Sequence, residues 1–518
     1  MLKLIALAFF IASAGLGQMV DTSPRLTSDG IFWRSGTYTQ MSACTITICP
    51  AGTIWRLTDA LTSGNCQQGS GVANTGFSFC GRDVNGAWLA TTPATQGTGG
   101  GTGSGTGDTT TVYGGFTGGG STVTVSDADC NTGDDTTAVQ AKLTSLANNG
   151  TLDFQNTTEP CDINTAGLTR ASMTNIRITS TVTAPAAGHL RQTATGLYTP
   201  AYSSMLYLST CTNCLVDKLK INGNSKKGQG VFFHHGSGNS VQNTEIYNIA
   251  YDSGGTGPYA AVKVDDCTDC FVVGNNLHDF TGVNGGEGVR CVWAGVGSEE
   301  SIRPRILNNT CTVTGHTGIV TESQGPVVTG NLVTSVPEQG TCFKFIPRGA
   351  EVDATFDNNT CDSTKDGGFQ FEPSPDGVQP DNVFYRNNQC KNVGTLSGDA
   401  FGCFYISGSA GGGSYNLKIT GNVITNSKAI ANVNNAHNIL FQNNTIISPN
   451  GADGNNINLE NDNDNITAIN SGNVNIHSPA CDACSNIFED GVQLAWLPRI
   501  DRNTVLAMLP WRRRYVAA

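Results

Sequence analysis

The sequence predicts an all-β chain: a parallel β-helix with a capping helix at its N-terminal end, preceded by a small disulfide-stapled module. Two observations carry this reading. First, a short motif recurs as VQNTEI, VGNNLH, ILNNTC, VTGNLV, FDNNTC, YRNNQC, ITGNVI and FQNNTI. These align on Asn243, Asn276, Asn309, Asn331, Asn359, Asn388, Asn422 and Asn444, spaced by 33, 33, 22, 28, 29, 34 and 22 residues. Second, each period carries another short strand, such as VFFHH, AVKVD, VRCVW, IVTES, FKFIP, FQFEP or CFYIS. Stacking explains the pattern. In-register coils lie about 4.8 Å apart, so identical turn residues sit over one another. Asn tolerates the left-handed turn conformation, and its amide can bond to the Asn above and below. Loops of variable length extend at the turns without disturbing the stack.

The elements before the repeat follow in order. Residues 1–17 hold Lys3, then an apolar stretch from Leu4 to Ile11, then small residues, which is the layout of a secretory signal peptide. A secreted chain with 18 cysteines is expected to form disulfides. The C-x-x-C pairs Cys211/Cys214, Cys267/Cys270 and Cys481/Cys484 are therefore read as redox-paired, with zinc the lesser alternative. Five N-x-S/T sequons, at Asn156, Asn308, Asn358, Asn443 and Asn465, would permit glycosylation. Residues 18–92 hold three of the six Trp (Trp33, Trp55, Trp88) and four Cys, as expected of a small stapled module or a glycan-binding one. Residues 93–121 are rich in Gly and Thr and nearly uncharged, a flexible tether. Thr137 with Gln140 predicts a capping box, with Val139, Leu143 and Leu146 on one helical face and Asn149-Gly150 as the stop. The coils then run over 122–490, and residues 491–518 form a C-terminal cap or tail.

Composition narrows the partners. The net charge of −12 excludes bulk attraction to nucleic acid or to anionic membranes. No internal run of about 18 apolar residues is present to span a bilayer.

The helix-then-coils layout and the NNT/GN repeats resemble the right-handed parallel β-helix superfamily over roughly residues 122–490. Pectate lyases, polygalacturonases, β-helix alginate lyases, chondroitinase B and mannuronan C5-epimerases belong to it. The resemblance implies a right-handed coil and a protein acting on polysaccharide. The matched motif is structural and specifies no single activity.

Any activity must come from side chains that point out of the tube. Aligning the second strands on Val231, Val262, Val289, Ile319, Phe343, Phe369 and Cys403 or Phe404 as inward residues places two outward columns. One holds Phe232, Lys263, Arg290, Val320, Lys344, Gln370 and Tyr405; the other holds His234, Asp265, Val292, Glu322, Ile346, Glu372 and Ser407. A lyase or epimerase acting on a uronic acid must neutralise the sugar carboxylate and remove the C5 proton. Lys263, Arg290 and Lys344 suit carboxylate binding and proton transfer, and His234 suits acid or base work. Phe232, Gln370 and Tyr405 are candidates for substrate contact. Asp265, Glu322 and Glu372 are candidates to hold Ca²⁺, the other common neutraliser.

Alternatives remain open. A glycoside hydrolase would use two carboxyls, for which Asp265 and Glu322 are candidates. Asp265-Asp266-Cys267 and Gly315-His316-Thr317-Gly318 are similar to polygalacturonase motifs, although the later Arg-x-Lys motif is absent and His316 comes about two coils on rather than one. The bacterial C5-epimerase Asp-Pro-His motif is also absent. The same charges could instead form an ordinary solvated sheet face, with ion pairs worth about 0–1 kcal/mol. The chain would then be a matrix or glycan-binding protein. The expectation is a secreted protein acting on acidic polysaccharide, a polyuronate lyase or C5-epimerase first.

Overall fold

In the computed structural model, the described residues run from 112 to 493 with breaks, together with five strands between residues 25 and 91. Residues 1–17, read above as a signal peptide, residues 93–111, read as a tether, the side chains of residues 18–92, His316 and residues 494–518 lie outside them. The chain divides into two units, Met1–Gly101 and Thr102–Ala518. The first holds one five-stranded sheet in chain order: Arg25–Leu26, Phe32–Gly36, Ile54–Leu57, Ser78–Arg82 and Trp88–Thr91. Its second and third strands are parallel and its other pairs antiparallel.

The second unit is a right-handed parallel β-helix. Its strands fall into three sheets of 15, 11 and 14 strands, and each coil contributes in turn to all three. Parallel neighbours joined by crossovers take the right hand because of strand twist. A helix, Thr136–Ser145, covers the N-terminal end, burying Val139 and Leu143, with Leu146 buried just beyond it. The expected capping box at Thr137/Gln140 is not formed. The N-cap is the buried Asp135, whose carboxylate accepts from the Thr132 and Asp162 amides at 3.0 and 2.8 Å. Gln140 instead exchanges two hydrogen bonds with the backbone of Thr169 (2.8 and 2.9 Å), fastening the helix to the first coils.

The Asn repeat forms a buried ladder. Asn275, Asn309, Asn331, Asn359, Asn388, Asn422 and Asn444 each sit at or below 3% exposure. Each amide from Asn275 to Asn422 donates to the Oδ1 of the next at 2.9–3.1 Å, and so does its backbone N–H at 2.8–3.0 Å. Six of the eight aligned asparagines are rungs. Asn243 and Asn276 are not; Thr244 and Asn275 hold those places. The cause is that turn and rung are separate residues. The one before the rung takes positive φ and is Asn or Gly: Asn243, Gly274, Asn308, Gly330, Asn358, Asn387, Gly421 and Asn443. In the Asn275-Asn276 pair, Gly274 already makes the turn, so the first Asn is the rung.

A second regularity governs the third sheet, where the coil turns into it through two consecutive inward residues. Ala261 and Val262, Cys291 and Val292, Cys342 and Phe343, and Cys403 and Phe404 are all in the core. The first of each pair is small or a cysteine. The cysteines close disulfides between the second and third sheets over less than one turn of chain: Cys291–Cys311, Cys342–Cys361 and Cys390–Cys403. Cys130–Cys161 and Cys267–Cys270 are also bonded, whereas Cys211 and Cys214 are buried free thiols, a departure from the bond expected of that C-x-x-C pair; Cys481 lies outside the described residues. Phe343, Phe369 and Phe404 stack along the core at centroid spacings of 4.9 and 5.4 Å.

Candidate functional site on the third sheet

Two outward columns run along the third sheet. The register Tyr207↔Phe232↔Lys263↔Trp293↔Val320↔Lys344↔Gln370↔Tyr405↔Asn432↔Asn458 gives the first. The alignment made from sequence holds on every coil but one. In Glu287–Ala294 the residue level with Lys263 is Trp293, three positions after Arg290, and Arg290 lies opposite Ala260. Strict alternation fails there because Cys291 and Val292 both point inward at the corner. Val292, expected to face out, is fully buried in the core. Lys263 and Arg290 are thus diagonal neighbours on adjacent coils.

At its centre this face is buried. Exposure is 0% for Asp265, 5% for His234, 6% for Lys263 and Arg290, and 9% for Glu322. The solvated-face reading fails here, since each desolvated charge costs several kcal/mol unless paired. The Lys263 ammonium contacts Asp265 Oδ2 at 2.6 Å and lies 4.5 Å from the Phe232 ring and 5.5 Å from the Trp293 ring. Trp293 also takes the Arg290 guanidinium at 4.2 Å, so one indole separates two cations. A π-face stabilises a desolvated cation without adding a formal charge. His234, level with Asp265 on the preceding coil, has Nδ1 2.7 Å from the Tyr207 hydroxyl. Its neighbour His235 pairs with Asp266 at 2.6 Å.

Phe232 is fully buried and forms the floor under Lys263, not a substrate-facing surface. The three carboxylates considered for calcium lie on separate coils, each with a cation of its own: Asp265 with Lys263, Glu322 with Arg348 at 2.8 Å, and Glu372 with Lys344 at 2.8 Å. Among the described residues no group of three His, Cys, Asp or Glu side chains is placed to share an ion.

Beyond the buried cluster the face opens. Lys344, Gln370, Tyr405, Asn432 and Asn458 in the first column, and Ile346, Glu372, Ser407, Asn434 and Glu460 beside them, are half-buried. Gln370 donates to Glu372 at 2.7 Å and Asn458 to Asn432 at 2.9 Å. Burial, assisted by the charges of Glu372 and Glu460, raises the Tyr405 phenol above its usual range despite a bond to Ser407.

Sequence reasoning missed Tyr207, Trp293 and Arg348. Extending the inward–outward alternation one coil back, to Leu206 and Tyr207, would have found the first. Trp293 was hidden by the corner.

No family model matches the sequence, and no curated protein does. Solved structures with a similar chain path include an alginate lyase from Paenibacillus sp. (TM-score 0.37, 14% identity, covering 72% of this chain and 99% of that one). An exopolygalacturonase from Thermotoga maritima aligns with a TM-score of 0.36 at 12% identity, covering 72% of this chain and 92% of its own. The catalytic unit of an α-1,3-glucanase from Streptomyces thermodiastaticus aligns at 0.36 and 14%, covering 73% and 69%.

Proposed function

We propose that this chain is a secreted protein acting on acidic polysaccharide, as a lyase or C5-epimerase of a uronic acid. The observation that supports it is the desolvated cluster of Lys263, Asp265, Arg290 and His234 on the outward face of the third sheet. Desolvating these charges costs stability, and proton abstraction next to a carboxylate draws on such a group of buried cations and a base. In this reading Arg290 and Lys263 offset the uronate carboxylate, making the C5 proton more acidic. His234, held by Tyr207, takes that proton on Nε2 when Nδ1 carries its own proton and donates it to the Tyr207 oxygen. In a lyase the electron pair then forms the C4–C5 double bond as the C4–O bond breaks and the leaving oxygen takes a proton. In an epimerase a proton returns to the opposite face of C5.

Hydrolysis fits less well. Asp265 and Glu322, the two carboxyls it would use, are each held by a cation of their own. A non-catalytic glycan-binding role draws on the half-open polar row from Lys344 to Asn458.

The test is incubation with alginate, polygalacturonate, hyaluronan and rhamnogalacturonan. Unsaturated uronate is followed by ultraviolet absorbance, and C5 proton exchange by NMR in deuterated water. Turnover that disappears in Arg290→Gln and His234→Gln is the expected result. Absence of both signals on every polymer refutes the enzymatic reading.

A further inference from the structure

The composition of the half-open row narrows the substrate, given the uronate chemistry proposed above. A linear polymer lying along the stacked coils meets one position of each column about every 4.8 Å. Over five coils those positions are Lys344 and Ile346, Gln370 and Glu372, Tyr405 and Ser407, Asn432 and Asn434, and Asn458 and Glu460. The cation of these two columns, Lys344, is already held by Glu372 at 2.8 Å. That pair is neutral as a whole, and what remains is amide, hydroxyl and aromatic surface with one further carboxylate, Glu460.

Such a surface bonds sugar hydroxyls and repels anions. A homopolymer of uronic acid would lay carboxylates along it, facing Glu460 and a lysine already neutralised by Glu372. In the buried cluster, by contrast, Lys263 and Arg290 stand against the single carboxylate of Asp265, a net positive charge, and Trp293 contacts both cations.

We infer that the substrate is a heteropolysaccharide in which a uronate alternates with neutral sugars. The cluster takes the uronate, and the row from Lys344 to Asn458 takes its less charged flank.

The experiment compares kcat/KM of the full-length protein on two alternating polymers, hyaluronan and the rhamnogalacturonan backbone, with that on polygalacturonate and alginate. One repelled carboxylate at about 5 Å gives a preference of about fourfold for the alternating polymers. Replacing Glu460→Gln should raise kcat/KM on the homopolymers and close most of that gap. Equal or better turnover of the homopolymers by the unmodified protein overturns the inference while leaving the uronate chemistry standing. So does a Glu460→Gln variant with an unchanged ratio. Should no polymer be turned over, the chemistry fails by itself, and retardation in gels containing each polymer decides the inference. Stronger retardation by the alternating polymers upholds it; equal, reversed or absent retardation overturns it.

Discussion

Replacing Asn359 with Ala isolates what the ladder contributes. The Asn359 Oδ1 accepts from the Asn331 backbone N–H and side-chain amide, both at 3.0 Å. Its own amide donates to Val328 O at 2.8 Å and to Asn388 Oδ1 at 3.1 Å. The site is wholly buried, so water cannot replace these partners. Four bonds at about 1 kcal/mol each put the loss near 4 kcal/mol. Asn444, the last rung, makes three such bonds, to Asn422 twice and to Ile419 O, so Asn444→Ala should cost about 3 kcal/mol. Asn358 supplies the control. Its φ of 53° is the left-handed turn, which glycine adopts freely, so Asn358→Gly should change stability by less than about 1 kcal/mol. Guanidinium unfolding followed by far-ultraviolet circular dichroism gives midpoint and slope for all three. A loss in Asn359→Ala no larger than in Asn358→Gly would refute the ladder as a source of stability.

Other predictions concern charge and covalent links. Asp265→Ala leaves the Lys263 ammonium buried without its carboxylate and should cost about 3–5 kcal/mol, and adding Lys263→Met should recover most of it in the same assay. Breaking Cys342–Cys361 by paired Ser substitution should lower stability by about 2–4 kcal/mol, read as the midpoint shift against the oxidised parent. The Glu245–His278 contact should depend on pH. The Glu245 hydrogen bond raises the His278 pKa above 6.5, and the reciprocal bond lowers that of Glu245 below 4.5. His278's contribution is complete below 6.5 and lost as pH rises through its raised value; that of Glu245 is present above 4.5 and lost as pH falls through its lowered one. A Glu245→Gln/His278→Gln double-mutant cycle should show its largest coupling between those limits, and coupling that is flat across pH would contradict the assignment.

How far the sequence could be read depended on what alternates and what does not. The ladder was legible because a buried amide stack tolerates so little else: Asn309, Asn331, Asn359, Asn388, Asn422 and Asn444 stood out by repetition. The two misplaced rungs came from giving one residue both jobs, since Asn243 makes the turn while Thr244 takes the rung. The outward columns were legible wherever alternation was counted from the second inward residue of the corner, as at Phe343 and Phe404. They were illegible at Cys291-Val292, where two inward neighbours reset the phase and exchanged Arg290 for Trp293. Burial of Lys263 and Arg290 could not be read from their own strands, because a residue's facing out of the tube does not fix whether other parts of the chain cover it.

The placement of the disulfides has a mechanical corollary. Cys291–Cys311, Cys342–Cys361 and Cys390–Cys403, with separations of 20, 19 and 13 residues, each close a stretch of chain shorter than one turn. Pulled from one end, the tube should come apart turn by turn, with each bonded turn surrendering only part of its contour. Reduction should lengthen the step from the Cys342–Cys361 turn, where the cysteines stand 19 positions apart, by about 60 Å, a difference that an optical trap can resolve.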